Sequence, residues 1–260
     1  MADQDRDYLM ARTGPEVKRL QMQHRWFRKG TRGKIVFAPV DLQKPRLRVL
    51  DVGCADGSLL RDLAPQLDPS ASLVGVDLTA SFLPASSGNT RYAVADVTKP
   101  FAPELQGAFD LTHLRYVLPA ARGVDLRESV RYLASTLAPG GWLQVQEYLV
   151  PDWLDEMAPA QREYVDLLHA VFNFTVGGPR FADGLAGMFE EAGLVGVKTE
   201  ALRMPIGKKM ETEGVGDAED VKASVEHFRM TIPGLLKAFE RERSPCCFCC
   251  DPIRGWMMTD

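Results

Sequence analysis

The sequence predicts an α/β protein built around a doubly wound, mostly parallel β-sheet. Two observations support this prediction. Short apolar segments rich in Val and Leu alternate with segments of helical periodicity after residue 45, and these apolar segments contain few polar residues. Near-continuous apolar strands are typical of parallel sheets that helices cover on both faces. Ligands of such sheets bind beyond the carboxyl ends of the strands, so we expect a site there.

The alternation resolves into individual elements. Strands are predicted over residues 47–52, 72–77, 90–95, 109–114, 142–150 and 195–204. Helices are predicted over residues 7–29, 58–67, 79–83, 126–137, 152–174, 180–193 and 217–243. Gly14-Pro15 is expected to break or start the first helix.

The composition is that of an ordinary globular protein of 260 residues, with 45% hydrophobic residues and a formal net charge of -4. We divide the chain into an N-terminal helical lid (1–45), an α/β core (46–150) and a C-terminal part of the same domain with a helical insertion (151–260). Lys and Arg are scattered, so we expect no nucleic-acid partner. The sequence shows neither a signal peptide nor a membrane span, so we expect a cytoplasmic protein, with the nucleus left open.

The five cysteines do not predict a metal site. Cys54 stands alone, and the other four lie within residues 246–250. Zinc sites draw their cysteines from two separated pairs, whereas four thiols this close together cannot easily surround one tetrahedral ion.

A glycine-containing turn follows the first predicted strand. It occupies residues 53–57 (GCADG) and leads into a predicted helix, whose first N–H groups are free to bind a polar ligand. Asp77 follows at the interval expected of an acid that binds both hydroxyls of a ribose. A nicotinamide dinucleotide is disfavoured, because its G-x-G-x-x-G fingerprint would need glycine where Ala55 and Ser58 stand.

Four segments, in order, resemble the motifs of class I S-adenosylmethionine (SAM)-dependent methyltransferases. They are residues 49–57 (VLDVGCADG), 74–78 (VGVDL), 93–97 (AVADV) and 137–143 (LAPGGWL). The first resembles the family's D-x-G-x-G-x-G loop, with Ala55 in place of the middle glycine. A methyl group is tolerable there if Ala55 keeps a negative φ angle.

Three further segments narrow the resemblance to fungal secondary-metabolism methyltransferases of the LaeA-like group. They are residues 16–24 (EVKRLQMQH), 109–116 (FDLTHLRY) and 140–147 (GGWLQVQE). The resemblance implies a seven-stranded Rossmann-like fold whose antiparallel seventh strand lies between the fifth and sixth. Residues 246–250 are the candidate for that strand, in a degenerate form. Without it the sixth strand would lack a neighbour, which would favour a homodimer.

The same resemblance assigns SAM as the cofactor and names its contacts. Asp51 would order the loop near the amino group of SAM, Asp77 would bind the ribose and Asp96 the adenine amino group. Their structural alternatives are a turn cap, a surface acid and a helix N-cap, respectively. The other expected cofactor contacts are Gly53, Ala55, Gly57, Leu78, Val97 and, on the first helix, His24.

His113 is the candidate catalytic residue, because an imidazole at a strand end can remove a proton from a hydroxyl or amine near neutral pH. An imidazole that is satisfied in the core or contacts the cofactor is an equal alternative. Arg115, Tyr116, Trp26 and Tyr148 are candidate substrate-binding residues, with structural pairing or core packing as their alternatives.

The sequence therefore predicts a SAM-dependent methyltransferase that methylates an oxygen or nitrogen of a small-molecule natural-product intermediate. Such an enzyme must hold the acceptor, methyl carbon and sulfur in line and exclude water. The alternative is a SAM-fold protein without methyl transfer, which catalyses a cyclisation or rearrangement or acts as a regulatory partner.

Overall fold

The computed structural model of the protein describes residues 14–121, 124–150 and 159–242. The strands are β1 (Arg48–Val52), β2 (Ser72–Asp77), β3 (Thr90–Val94), β4 (Phe109–Arg115) and β5 (Leu137–Gln146). The α-helices are α1 (Gly14–Gly30), α2 (Ser58–Leu63), α3 (Leu126–Ser135), α4 (Pro159–Val176), α5 (Leu185–Glu191), α6 (Lys208–Thr212) and α7 (Ala218–Glu242). Short 3-10 helices follow α2, β2 and β4.

The strands form one sheet in the order β3-β2-β1-β4-β5, and each neighbouring pair is parallel. This confirms the predicted parallel α/β sheet. The strand order reverses between β1 and β4, and a crevice opens beyond the carboxyl ends of strands at such a point. The chain therefore brings the residues after β1, β2 and β4 to one edge of the sheet.

Helices cover both faces of β1, which explains why its sequence is apolar nearly throughout. Val49 belongs to a buried cluster with Leu60 and Leu63 of α2, whereas Leu50 belongs to a second cluster with Val130 of α3. Burying one such side chain contributes about 1.5–3 kcal/mol. The two clusters hold the strand that leads into the glycine-containing turn.

The predicted sixth strand, residues 195–204, is wrong. These residues are irregular, and Val195 is 89% exposed. Their expected neighbour, residues 246–250, lies outside the described residues, and within the described residues nothing pairs with the outer edge of β5. A strand needs a hydrogen-bonding neighbour to satisfy its backbone groups, and the described part of the chain offers none to this segment. The described sheet therefore has five strands, not seven.

Strand β5 begins earlier than predicted and ends before residue 150. Leu137 pairs with Phe109 and Trp142 with Leu111, so the residues between the predicted helix and the predicted strand, 138–141, form a bulge within β5. Helix α1 begins at Gly14, whereas the predicted segments 7–13 and 151–158 lie outside the described residues.

Helix α1 packs against α7 through charged and aromatic contacts. Arg25 Nε and Lys29 Nζ lie 2.6 and 2.9 Å from the fully buried carboxylate of Asp220. Trp26 donates its indole N–H to the carbonyl of Pro205 at 2.8 Å and stacks on His227. Trp26 is therefore part of the packing between the helices.

The turn after β1 has glycine at two positions where neighbouring side chains leave no room for a Cβ atom. Gly53 has φ +72°, and a Cβ there would lie 2.2 Å from Val117 Cγ2. Gly57 also has φ +72°, and its Cβ would lie 2.3 Å from the Tyr92 hydroxyl. Ala55 has φ +48°, so the condition under which a methyl group would be tolerated without strain, a negative φ, is not met. The turn needs a left-handed residue there, and its N–H reaches Asp77 Oδ2 at 2.9 Å.

The left-handed Ala55 leads to a stability prediction. The left-handed conformation costs an L-residue about 1–2 kcal/mol in the folded state. Replacement by glycine removes that cost, but it makes the unfolded chain more flexible, which lowers the free energy of unfolding by about 0.4–1 kcal/mol. Ala55→Gly should therefore raise the free energy of unfolding, measured in urea, by up to about 1 kcal/mol. The control is Ala134→Gly within α3, which should lower it by about 1 kcal/mol. Equal destabilisation by both variants would contradict the strain at Ala55.

Candidate cofactor and substrate site

One crevice runs across the carboxyl ends of the strands, between α1 and α4. The predicted site residues that line it are Asp51, Gly53, Ala55, Asp77, Leu78, Asp96, Val97, His24, His113, Arg115, Tyr116 and Tyr148. Gly57 and Trp26 do not line it. Gly57 instead lies against Tyr92, and Trp26 lies between α1 and α7. The structure thus brings twelve of the fourteen predicted residues to one surface.

The acids after β2 and β3 lie at one end of the crevice. Asp77 accepts hydrogen bonds from the backbone N–H groups of Ala55 and Thr79, at 2.9 and 2.8 Å. Asp96 accepts from the backbone and hydroxyl of Thr98, at 2.9 and 2.7 Å. Burial opposes ionisation of Asp96, but the bonds from Thr98 and the ammonium of Lys99 outweigh it and lower its pKa. Asp96 therefore stays ionised.

Asp51 and His113 form a buried pair in the middle of the crevice. They are neighbours in the β1–β4 register, and Asp51 Oδ1 lies 2.7 Å from His113 Nδ1. Nε2 of His113 lies 3.2 Å from Gln146 Oε1, and only 1% of His113 is exposed. Both ring nitrogens therefore have protein partners.

Arg115 contacts the lining of α1. Its Nη2 donates to His24 Nδ1 at 3.0 Å, and its guanidinium carbon lies 4.6 Å from the centre of the Phe27 ring. Since arginine only donates, His24 Nδ1 must accept, and its Nε2–H donates to Asp62 at 2.8 Å. Burial, with the charge of Arg115, lowers the pKa of His24 despite Asp62. His24 is therefore the neutral tautomer with its proton on Nε2.

The other end of the crevice is aromatic. The rings of Tyr116 and Tyr148 stack with their centres 4.2 Å apart, and Phe172 of α4 lies 6.3 Å from Tyr148. The Tyr148 hydroxyl accepts from Gln23 Nε2 at 3.3 Å, and burial raises its pKa to about 12. Tyr164 also lines this end. These neutral hydroxyls and rings form a cavity for a largely apolar molecule.

Glu147 is a site-shaping residue that the sequence prediction missed. Its Oε1 accepts from the N–H groups of Val117 and Leu118, both at 2.9 Å, and Oε2 has no partner among the described residues. Burial raises the pKa of Glu147 to about 8, against those hydrogen bonds. Glu147 directly follows β5, whereas the sequence prediction placed it inside a strand over residues 142–150, so its position at a strand end was not recognised.

Side chains of α1 and α4 were also missed. They are Arg19, Leu20, Gln23, Tyr164, Leu168, Val171 and Phe172. Their helices are separated from the strands in sequence, and no local motif marks the residues that face the crevice.

Known proteins are similar to this chain in sequence. A sequence model of the family described as "Methyltransferase domain" matches residues 19–199. The N-methyltransferase verN of Clonostachys rogersoniana is 30% identical, covering 77% of this chain and 70% of that protein. The N-methyltransferase sirN of Leptosphaeria maculans is 32% identical, covering 78% and 71%. The N-methyltransferase gliN of Aspergillus fumigatus is 31% identical, covering 80% and 74%.

A solved structure shows the same fold at lower sequence similarity. It is Haemonchus contortus phosphoethanolamine N-methyltransferase 2 in complex with SAM, with a TM-score of 0.51 and 17% identity. The match covers 86% of this chain and 48% of that one. With the family match over most of the chain, the predicted resemblance is confirmed: the protein belongs to the class I SAM-dependent methyltransferases.

Proposed function

We propose that the protein transfers the methyl group of SAM to a nitrogen atom of a small-molecule intermediate of fungal secondary metabolism. The observation that carries this proposal is the order of side chains along the crevice. Acids suited to a nucleoside stand at one end, the glycine-containing turn lies next to them, and an aromatic cavity follows. The choice of nitrogen is supported by the fungal relatives, which are named N-methyltransferases.

The residues of the crevice fit an adenosyl cofactor. Gly53 lines the crevice, and Val117 occupies the space that a side chain at Gly53 would need, so the turn passes close to the site as bare backbone. Asp77 would bind the ribose hydroxyls, and Asp96 the adenine amino group, with Leu78 and Val97 beside the rings. Two carboxylates at the ends of neighbouring strands can accept hydrogen bonds from the ribose hydroxyls and from the adenine amino group of one adenosine.

When bound, SAM supplies an activated methyl group, whose transfer to the acceptor lone pair returns the C–S bonding electrons to sulfur. The protein must then orient the acceptor and exclude water. The stacked Tyr116 and Tyr148 and the apolar side chains of α4 would do both. The proton lost by the acceptor nitrogen leaves to solvent. Helix α1 closes this side of the crevice and serves as the lid.

We assign His113 a positioning role, which was the open alternative to a catalytic base. Its Nδ1 holds Asp51 and its Nε2 faces Gln146, so neither nitrogen is available to an acceptor. The imidazole keeps Asp51 in place beside the turn.

The proposed reaction is tested by incubating the protein with methyl-labelled SAM and metabolite extracts of a strain that lacks it. We expect label in a small molecule, and nuclear magnetic resonance of that product should show the methyl on nitrogen. Asp77→Ala should bind no SAM and transfer no label, whereas the control Asp68→Asn, at an exposed turn, should behave as wild type. Methylated oxygen, or no label in any extract, would contradict the proposal.

The positioning role of His113 makes a separate prediction. His113→Phe should weaken binding of S-adenosylhomocysteine, measured by calorimetry, by about tenfold, or about 1.4 kcal/mol, because Asp51 loses its partner. A catalytic base would instead lower kcat by about 10²–10⁴ without changing that affinity. The second pattern would restore the base assignment.

Glu147 predicts a pH dependence of stability. The pKa of Glu147 is about 8 in the folded protein and has its usual value of 4.5 in the unfolded chain, so the folded state holds the proton more tightly. The free energy of unfolding therefore falls as the pH rises from about 4.5 to about 8. Glu147→Gln keeps the acceptor for Val117 and Leu118 but has no such loss.

Thermal unfolding of both proteins from pH 5 to pH 8 measures this effect. The melting temperature of Glu147→Gln should rise relative to wild type as pH increases, and Glu147→Ala should melt below wild type at both ends. A constant difference between Glu147→Gln and wild type would show that Glu147 is ionised throughout.

A further inference from the structure

Arg115 carries an unused hydrogen-bond donor inside the crevice. Its Nη2 is bound to His24, but Nη1 is shielded from solvent and has no partner among the described residues. A buried donor without a partner destabilises a protein, and a charged donor does so more strongly. Arg115 also lines the crevice. This arrangement indicates that a ligand supplies the acceptor for the Nη1 hydrogen bond of Arg115.

The strand register gives the place of Arg115 along the crevice. Asp51 pairs with His113, so Arg115, two residues further along β4, lies at the level of Gly53 in the turn. Asp77 and Asp96 lie on the side of β2 and β3, and the aromatic cavity lies on the side of β5 and α4. Arg115 is therefore between the place for the nucleoside and the place for the methyl acceptor.

The charges at this place are complementary to an α-amino acid. Arg115 offers a guanidinium, and the charge of the Asp51 carboxylate acts on it. An amino acid in solution carries one carboxylate and one ammonium group, and a planar guanidinium matches the geometry of a carboxylate. The methionine end of SAM carries both of these groups.

The guanidinium is also held in advance of binding. His24 accepts from Nη2, and Asp62 holds His24 through Nε2–H. Phe27 packs against the guanidinium plane on its α1 side. A donor that is already oriented loses less freedom when the ligand arrives, which improves affinity.

We propose that Arg115 binds the carboxylate of the methionine end of the cofactor, and not the methyl acceptor. This rests on the proposed use of SAM and replaces the sequence-based assignment of Arg115 to the substrate. Asp62 and His24 are positioning residues for this contact.

Calorimetry with two adenosyl ligands tests the assignment. S-adenosylhomocysteine contains the amino acid, whereas 5′-methylthioadenosine has the same nucleoside and sulfur without it. Arg115→Gln should weaken binding of S-adenosylhomocysteine about tenfold or more and leave binding of 5′-methylthioadenosine unchanged. The unchanged second affinity would also show that the variant is folded. The control Arg28→Gln removes an exposed arginine that contacts the same Asp62, and both affinities should stay at wild-type values.

A second measurement needs no variant. Wild-type protein should bind S-adenosylhomocysteine about tenfold or more tightly than its decarboxylated analogue, since only the carboxylate differs. Equal affinities for those two ligands would overturn the assignment. The assignment would also be overturned if Arg115→Gln weakened binding of S-adenosylhomocysteine and of 5′-methylthioadenosine equally. It would be overturned as well if the variant raised only the KM of the methyl acceptor. If wild-type protein bound none of these nucleosides, the proposed function itself would fail.

Discussion

The tight packing of the turn after β1 is the constraint on which the site depends. The carbonyl of Val76 in β2 accepts hydrogen bonds from the N–H groups of both Gly53 and Cys54, at 2.8 and 3.0 Å. On the other side, Val117 after β4 leaves no room for a side chain at Gly53. Three strand ends thus determine the path of one short turn. Backbone positioned in this way can meet a ligand closely without reorganising.

Different kinds of side chain line the crevice at different places along the sheet, and the strand order determines where each kind lies. Carboxylates follow the strands on one side of β1, a buried Asp51–His113 pair lies at the switch in strand order, and aromatic side chains lie beyond β4. The carboxylates of Asp77 and Asp96 therefore lie apart from the aromatic end of the crevice. This separation suits a reaction that binds a charged cofactor at one end and brings a less polar acceptor to it.

Within the described residues, no helix combines the length and apolar character that crossing a membrane requires. Among the residues that the structure describes, no strand pairs with the outer edge of β5, and residues 195–204 are irregular. The buried apolar clusters draw their strand residues mainly from β1, β2 and β4, so the packing of the core does not depend on a strand beyond β5.

The sequence predicts the sheet and the cofactor side of the site well, because both depend on local patterns. The strand over residues 72–77 matches β2 at both ends, and Asp77 and Asp96 line the crevice from consecutive strand ends. Predictions that depend on distant partners do less well. The sixth strand requires a neighbour from another part of the chain. The positive φ of Ala55 depends on how closely three strands surround the turn, which the motif alone does not specify. The inward faces of α1 and α4 depend on how helices dock, which periodicity alone does not specify.

A crystal structure of the protein with S-adenosylhomocysteine tests the central claim most directly. That claim is that one adenosyl ligand spans the crevice from Asp96 past Asp77 to the turn at Gly53. The ribose hydroxyls should lie within hydrogen-bond distance of Asp77 and the adenine beside Asp96 and Val97. An adenosyl group bound outside this crevice, or lying in it with its ribose away from Asp77, would contradict the account.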